Sequence, residues 1–175
     1  MGTYVVRRIL NNNAFVSVDA NGQEIVVMGK GIVFQKSGGD RIPCSRAEQV
    51  FQLSQENTSR FQELIARIPM NYMVLSEKII SMAEKNMNKT LDESIHITIT
   101  DHIYSAVQRY QRGLVLRNSM RWEIQRYYPQ EYAVGLEAAR MVRQALEVPF
   151  AEDEAAFMAL HFVNAGTGME IGQMY

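Results

Sequence analysis

The sequence predicts a two-part chain, a small antiparallel β-sheet domain followed by an all-α bundle of about five helices. Three observations carry that prediction. In residues 7–34, RRILNNNAFVSVDANGQEIVVMGKGIVF, β-patterned apolar runs are broken by Asn11-Asn12-Asn13, by Asn21-Gly22 and by Gly29-Lys30-Gly31. From Thr58 onward the apolar period changes to that of a helix. The length, 175 residues with 47% apolar composition, suits one medium or two small globular domains, and the single cysteine, Cys44, excludes an intramolecular disulfide.

Tyr4 to Leu10 reads as the first strand, with Val5, Val6 and Ile9, and Asn11 to Asn13 as its turn. Ala14 to Asp19 alternates, placing Ala14, Val16 and Val18 on one face and Phe15, Ser17 and Asp19 on the other. Asn21-Gly22 is the strongest type of hairpin signal, because both central residues tolerate φ > 0. Gln23 to Met28 is the next strand, Ile32 to Gln35 a fourth short run, Lys36 to Asp40 a flexible loop, and Gln49 to Leu53 an edge strand. A sheet this small buries little apolar surface and exposes its edges, so pairing two copies across a two-fold axis into a barrel-like dimer is expected.

Phe61, Leu64, Ile65 and Ile68 sit at i, i+3, i+4 and i+7 of a short helix that Pro69 ends. Further helices are expected over Tyr72 to Met87, from a cap at Asp92 or Ser94 to about Gln111, over Leu116 to Tyr128, from Pro129 to Val148 and from Glu152 to Ala165. Three acids in the first turn of the last one suit the helix dipole. The expected boundaries are 1–56 for the sheet domain, 57–70 for a linker with a short helix, and 71–170 for the bundle.

Net charge is −1, but residues 1–55 carry six Lys/Arg against four Asp/Glu and the remainder twelve against fifteen. That asymmetry is too modest for a non-specific polyanion binder, so any nucleic acid must be recognised by shape and a few placed cations. The longest apolar runs are far shorter than the ~18 residues of a membrane span, and the N-terminus carries no signal-peptide pattern. A cytoplasmic protein without membrane association is the economical reading.

Arg7, Arg8 and Lys30 would ordinarily be solvated surface charges. Beside an asparagine turn and Phe34 they form a set that suits RNA: cations for phosphate, amides for base edges, a ring for stacking. Gly29 and Gly31 have a structural reading too, as residues permitting a bulge, and Gly-Lys-Gly lacks the spacing of a phosphate-binding loop. In the helical part His96, in DESIHITIT, reads as structural. His102 lies at the edge of the stripe Ile103, Val107, Tyr110, near Ser105 and Arg109, and His161 lies seven residues after Glu154 on the same side. A metal site from His102, His161 and Asp101 is disfavoured because the histidines stand on different helices without HxxxH or HxH spacing. No metal, cofactor or catalytic residue is expected.

RRILNNNA (Arg7 to Ala14), EIVVMGKGIVFQK (Glu24 to Lys36), EQVFQL (Glu48 to Leu53), TDHIYSAVQRYQRGL (Thr100 to Leu114) and EDEAAFMALHFVNA (Glu152 to Ala165) resemble, in order and spacing, the bacterial BglG/LicT/SacY transcriptional antiterminators. The first three match the co-antiterminator RNA-binding domain and the last two the first regulatory domain. The resemblance implies a homodimer that holds a leader-transcript RNA hairpin with two similar internal loops and prevents a competing terminator. It assigns RNA contacts to Arg8, Asn13, Gly29, Lys30 and Phe34, with Arg7, Asn11 and Asn12 as further candidates. It also makes His102 and His161 acceptors of phosphate from proteins of the sugar phosphotransferase system. Such proteins usually carry a second regulatory domain, so this chain is expected to be a truncated form. The alternative class is a phosphoacceptor interaction module whose β domain only dimerises.

Overall fold

The computed structural model describes residues 2–167, so residues 168–170 of the expected bundle lie outside the described residues. The chain divides after Met70 into two compact units. In the first, strands β1 (Thr3–Val5), β2 (Arg8–Asn11), β3 (Ala14–Val18), β4 (Glu24–Met28), β5 (Arg41–Pro43) and β6 (Gln49–Phe51) precede helix α1 (Gln55–Arg67). Four of them form an antiparallel sheet in the order β2-β3-β4-β6, while β1 pairs with β5 as a separate ribbon.

The expected single strand Tyr4 to Leu10 is therefore two. The chain changes partner at Val6: its N–H donates to Asp40 O at 2.9 Å, whereas the N–H of Arg7 already donates to Val16 O at 2.9 Å. Val6 is left pointing into the core. Ile32 to Gln35 is a series of turns, with Ile32 N bonded to Gly29 O and Phe34 N to Gly31 O. Strand geometry would send Ile32 and Val33 to opposite faces; the turn buries both beside Phe15, Ile25, Val27 and Ile42. The Asn21-Gly22 corner also differs from a two-residue primed turn. Only Gly22 takes positive φ there (+80°), and Asp19 Oδ1 accepts from the N–H groups of Asn21 and Gln23 at 2.8 and 2.9 Å.

Both faces of the sheet are covered within the chain. One packs under the β1–β5 ribbon and the loop after Gly29, around Phe15, whose full burial contributes roughly 1.5–3 kcal/mol. The other carries α1, which begins at the Ser54 cap, accepting from Asn57 N, and ends at Ile68 before Pro69. Phe61 of α1 meets Phe51 of β6 edge-on at 4.6 Å. The helix expected in a linker is thus packed on the sheet. Burial alone does not require a second copy, and the described residues form no closed barrel. The edge strands remain open, with Ile9 39% and Val50 44% exposed.

The second unit is a bundle of α2 (Met70–Met87), α3 (Ile95–Gln111), α4 (Arg121–Tyr127), α5 (Pro129–Leu146) and α6 (Glu152–Thr167). The helix expected from Leu116 starts five residues later. Asn118 breaks it: its N–H donates to Asp153 Oδ1 at 3.2 Å and its own Oδ1 accepts from Met120 N at 2.9 Å. Small residues let α5 and α6 approach closely; a Cβ built on Gly135 would lie 2.2 Å from Ala155 O. The turn between them uses Glu147 at φ 54° with Pro149 beyond, and Arg143 Nη1 donates to Phe150 O at 2.8 Å. The chemistry of this unit lies where α6 meets α3.

Candidate nucleic-acid interface and histidine cluster

In the first unit the asparagine turn and the Gly-Lys-Gly loop are tied into one surface. Gly29 N donates to Asn13 O at 2.9 Å and Val33 N to Asn12 O at 3.2 Å. Asn13 Oδ1 accepts from Gly31 N at 2.7 Å, which leaves its amide N–H groups as the donors it can offer. Glu48 holds the other side, accepting from Lys30 N at 2.5 Å. Gly29 is required by space, since a Cβ there would lie 2.7 Å from Arg46 O, and Gly31 by its φ of +64°. What this framework presents outward is the Lys30 side chain, the Asn12 side chain and the Phe34 ring, which is 58% exposed.

The remaining candidates are placed differently. Asn11 has both ends of its amide occupied: Oδ1 accepts from Asn13 N at 2.7 Å and Nδ2 donates to Ile65 O on α1 at 3.0 Å. Arg8 stands opposite Val16 on the α1 side of the sheet, and its guanidinium donates to Gln62, whose Nε2 in turn donates to Glu24 Oε1 at 2.9 Å. Arg7 is exposed. The structure therefore gathers Asn12, Asn13, Gly29, Lys30 and Phe34, and directs Asn11 and Arg8 toward α1. Glu48, which holds the Lys30 loop, opens the motif EQVFQL without any spacing that points to Lys30, and Gln62, which holds Arg8, carries no local sequence signal.

In the second unit His102 of α3 and His161 of α6 come together, with ring centroids 5.1 Å apart. Glu154, spaced to lie near His161 along α6, instead reaches across to α3. Its Oε2 is 2.9 Å from His102 Nε2 and its Oε1 3.8 Å from Arg109 Nη2, and its side chain is 1% exposed. Phe157 covers the His102 ring at 5.7 Å. The Nδ1 of His161 is buried and has no hydrogen-bond partner; burial first, and then the His102 ring beside it, pull this imidazole from 6.5 down to about 3. It is neutral throughout the physiological range. His96 is apart from this cluster, with Nδ1 2.6 Å from Glu77 Oε1 of α2. Two adjacent imidazoles, one oriented by a buried carboxylate, are suited to accepting a group on nitrogen. Among the described residues no group of three or more His, Cys, Asp or Glu is placed to hold a metal ion, and no helix is long and apolar enough to cross a membrane.

Comparison with known proteins agrees with this division. Residues 4–60 match the family described as CAT RNA binding domain and residues 77–165 the PRD domain. The chain is 43% identical to the transcription antiterminator LicT of Bacillus subtilis over 95% of its own length and 60% of that protein's. It is 38% identical to the beta-glucoside operon antiterminator of Dickeya chrysanthemi, over 91% of itself and 57% of the relative. It thus spans about three fifths of these curated relatives. A crystal structure of GlcT CAT-PRDI superposes with a TM-score of 0.78 at 31% identity, covering 95% of this chain and 99% of that one.

Proposed function

The chain belongs to the LicT/BglG-type family, in which a CAT RNA-binding domain is followed by a PRD domain, and from that premise we propose that it is a cytoplasmic antiterminator that acts by binding rather than by catalysis. As a homodimer it grips a leader-transcript hairpin and keeps a competing terminator from forming. The observation that carries the reading is the single exposed surface on which a cation, an amide and an aromatic ring are held by the Asn13–Gly31 and Glu48–Lys30 bonds. Regular A-form RNA offers side chains no readable major groove, whereas the splayed bases of an internal loop accept exactly these groups in kind: stacking on Phe34, phosphate contact by Lys30, amide contact at the asparagine turn.

Control follows from the second unit. His102 and His161 accept phosphoryl groups from proteins of the sugar phosphotransferase system, and the added negative charge arrives beside buried Glu154. Gly29 and Gly31 hold the frame of that surface, and Arg8, exposed on the edge strand β2, is a further cation for the RNA.

The test is a gel shift with a two-internal-loop hairpin and a fully paired control across a salt series. Selective binding of the looped RNA, lost in Phe34→Ala and Lys30→Ala proteins that still dimerise, supports the proposal. Equal weak binding of both RNAs overturns it and leaves an interaction module whose β domain only dimerises.

A further inference from the structure

We propose that Glu154 is a positioning residue that commits His102 to accept a phosphoryl group through Nδ1, while His161, whose Nδ1 is enclosed, accepts through Nε2. The proposal deepens the phosphoacceptor reading above and rests on it. Its basis is an asymmetry between two neighbouring rings. His102 meets Glu154 Oε2 through Nε2 at 2.9 Å, and Arg109 faces the other carboxylate oxygen at 3.8 Å. With a guanidinium on one side, the carboxylate accepts on the other. Nε2 of His102 then keeps its proton, and the lone pair available for attack is on Nδ1. The His102 side chain keeps 14% of its exposure, and its Nδ1 is not among the buried side-chain nitrogens that lack a partner. In His161 the positions are reversed. Nδ1 is the enclosed atom, shut off from an approaching phosphoryl donor, whereas Nε2 is not among the buried side-chain atoms that lack a partner, and the residue as a whole is half-buried.

The transfer at His102 balances without releasing a proton. The Nδ1 lone pair forms the new N–P bond as the N–P bond of a carrier protein's phosphohistidine breaks. The bonding pair returns to the donor ring, which leaves as neutral imidazole. His102 becomes a phosphoimidazolium, whose new positive charge is shared with the Nε2–H group already held by Glu154. A carboxylate placed behind an attacking imidazole in this way fixes the tautomer and stabilises the cation, without itself taking the proton.

The experiment uses the whole chain, nitrogen-15 labelled, with phosphoramidate as the phosphoryl donor and ammonia as its leaving group. Long-range proton–nitrogen correlation reads the tautomer of each ring before reaction, and phosphorus–nitrogen coupling reads the linkage afterwards. The expected result is an Nε2–H tautomer and an Nδ1 linkage at His102, with an Nε2 linkage at His161. In Glu154→Gln, which loses the charge at constant shape, the His102 tautomers mix, its linkage spreads to both nitrogens and the reaction slows by at least about tenfold. An Nδ1–H tautomer or an Nε2 linkage at His102 in the parent protein overturns the proposal, whether or not the Glu154→Gln protein folds. If neither histidine takes phosphate from phosphoramidate or from a carrier protein, the phosphoacceptor reading fails. The tautomer still decides the role of Glu154 in that case.

Discussion

Lowering the pH from 7 to 5 should weaken the second unit through one residue, His161. Its imidazole titrates near 6.5 when unfolded and at about 3 in the fold, so between those values the unfolded chain binds a proton that the native state refuses. Stability therefore rises with pH across that window and levels off above it. The slope in mid-window is about 1.4 kcal/mol per pH unit. Integrated from pH 7 to 5, this costs about 2 kcal/mol, a figure that hardly changes as long as the folded value stays well below 5. Urea denaturation followed by far-UV circular dichroism at the two pH values measures it, with His161→Gln as the partner experiment. Other groups titrate too, so the difference between the parent and the variant isolates this one. The parent should lose about 2 kcal/mol more than the variant. Equal losses in the two proteins would refute the reasoning, because His161 would then bind its proton as readily folded as unfolded.

Other perturbations have equally definite outcomes. Gly135→Ala places a methyl group 2.2 Å from Ala155 O and should destabilise the bundle by about 1–3 kcal/mol, read as a lower urea midpoint with unchanged m. Gly29→Ala meets the Arg46 carbonyl at 2.7 Å; hairpin RNA affinity should fall while the sheet signal in circular dichroism persists. Asn11→Ala removes one hydrogen bond within the turn and one that joins the turn to α1 and should cost the first unit about 1–3 kcal/mol, with RNA selectivity retained in the folded fraction. Phe34→Ala should weaken RNA binding by about 1–3 kcal/mol without changing the salt slope, whereas Lys30→Ala should lower that slope by roughly one unit.

Local signals in the chain located most of the elements. Pro69, Pro129 and Gly113 end or begin helices where expected, and the change from period two to a helical period falls near α1. The departures all have non-local causes. Tyr4 to Leu10 looks uniform, and only the positions of Asp40 and Val16 reveal that it serves two partners. Ile32 and Val33 have strand-like side chains, yet a single core beneath them draws in two consecutive residues, which only a turn can supply. The candidate sites divide in the same way. Motif resemblance singled out Lys30, Phe34, His102 and His161, whereas Glu48 behind Lys30 and Gln62 behind Arg8 act across many residues of chain. Glu154 shows the difficulty most clearly. Helical spacing puts it on the His161 side of α6, but its hydrogen bond goes to the other helix.

The first turn of α6 has a consequence for how this protein can change. Glu152 meets Arg121 Nη2 at 2.5 Å, Asp153 takes the N–H of Asn118, and Glu154 takes His102, while Ala151 N reaches the Tyr110 hydroxyl at 3.2 Å. Successive helical residues point about 100° apart, so three consecutive acids engage three different neighbours at once. Adding or removing one residue within α6, between Glu154 and His161, would rotate the three acids by about 100° relative to the histidine, so that the acids and His161 could no longer face their partners together. Surface loops usually tolerate changes of length; this stretch of helix works as a gauge, and its length should drift no more freely than the histidine it aligns.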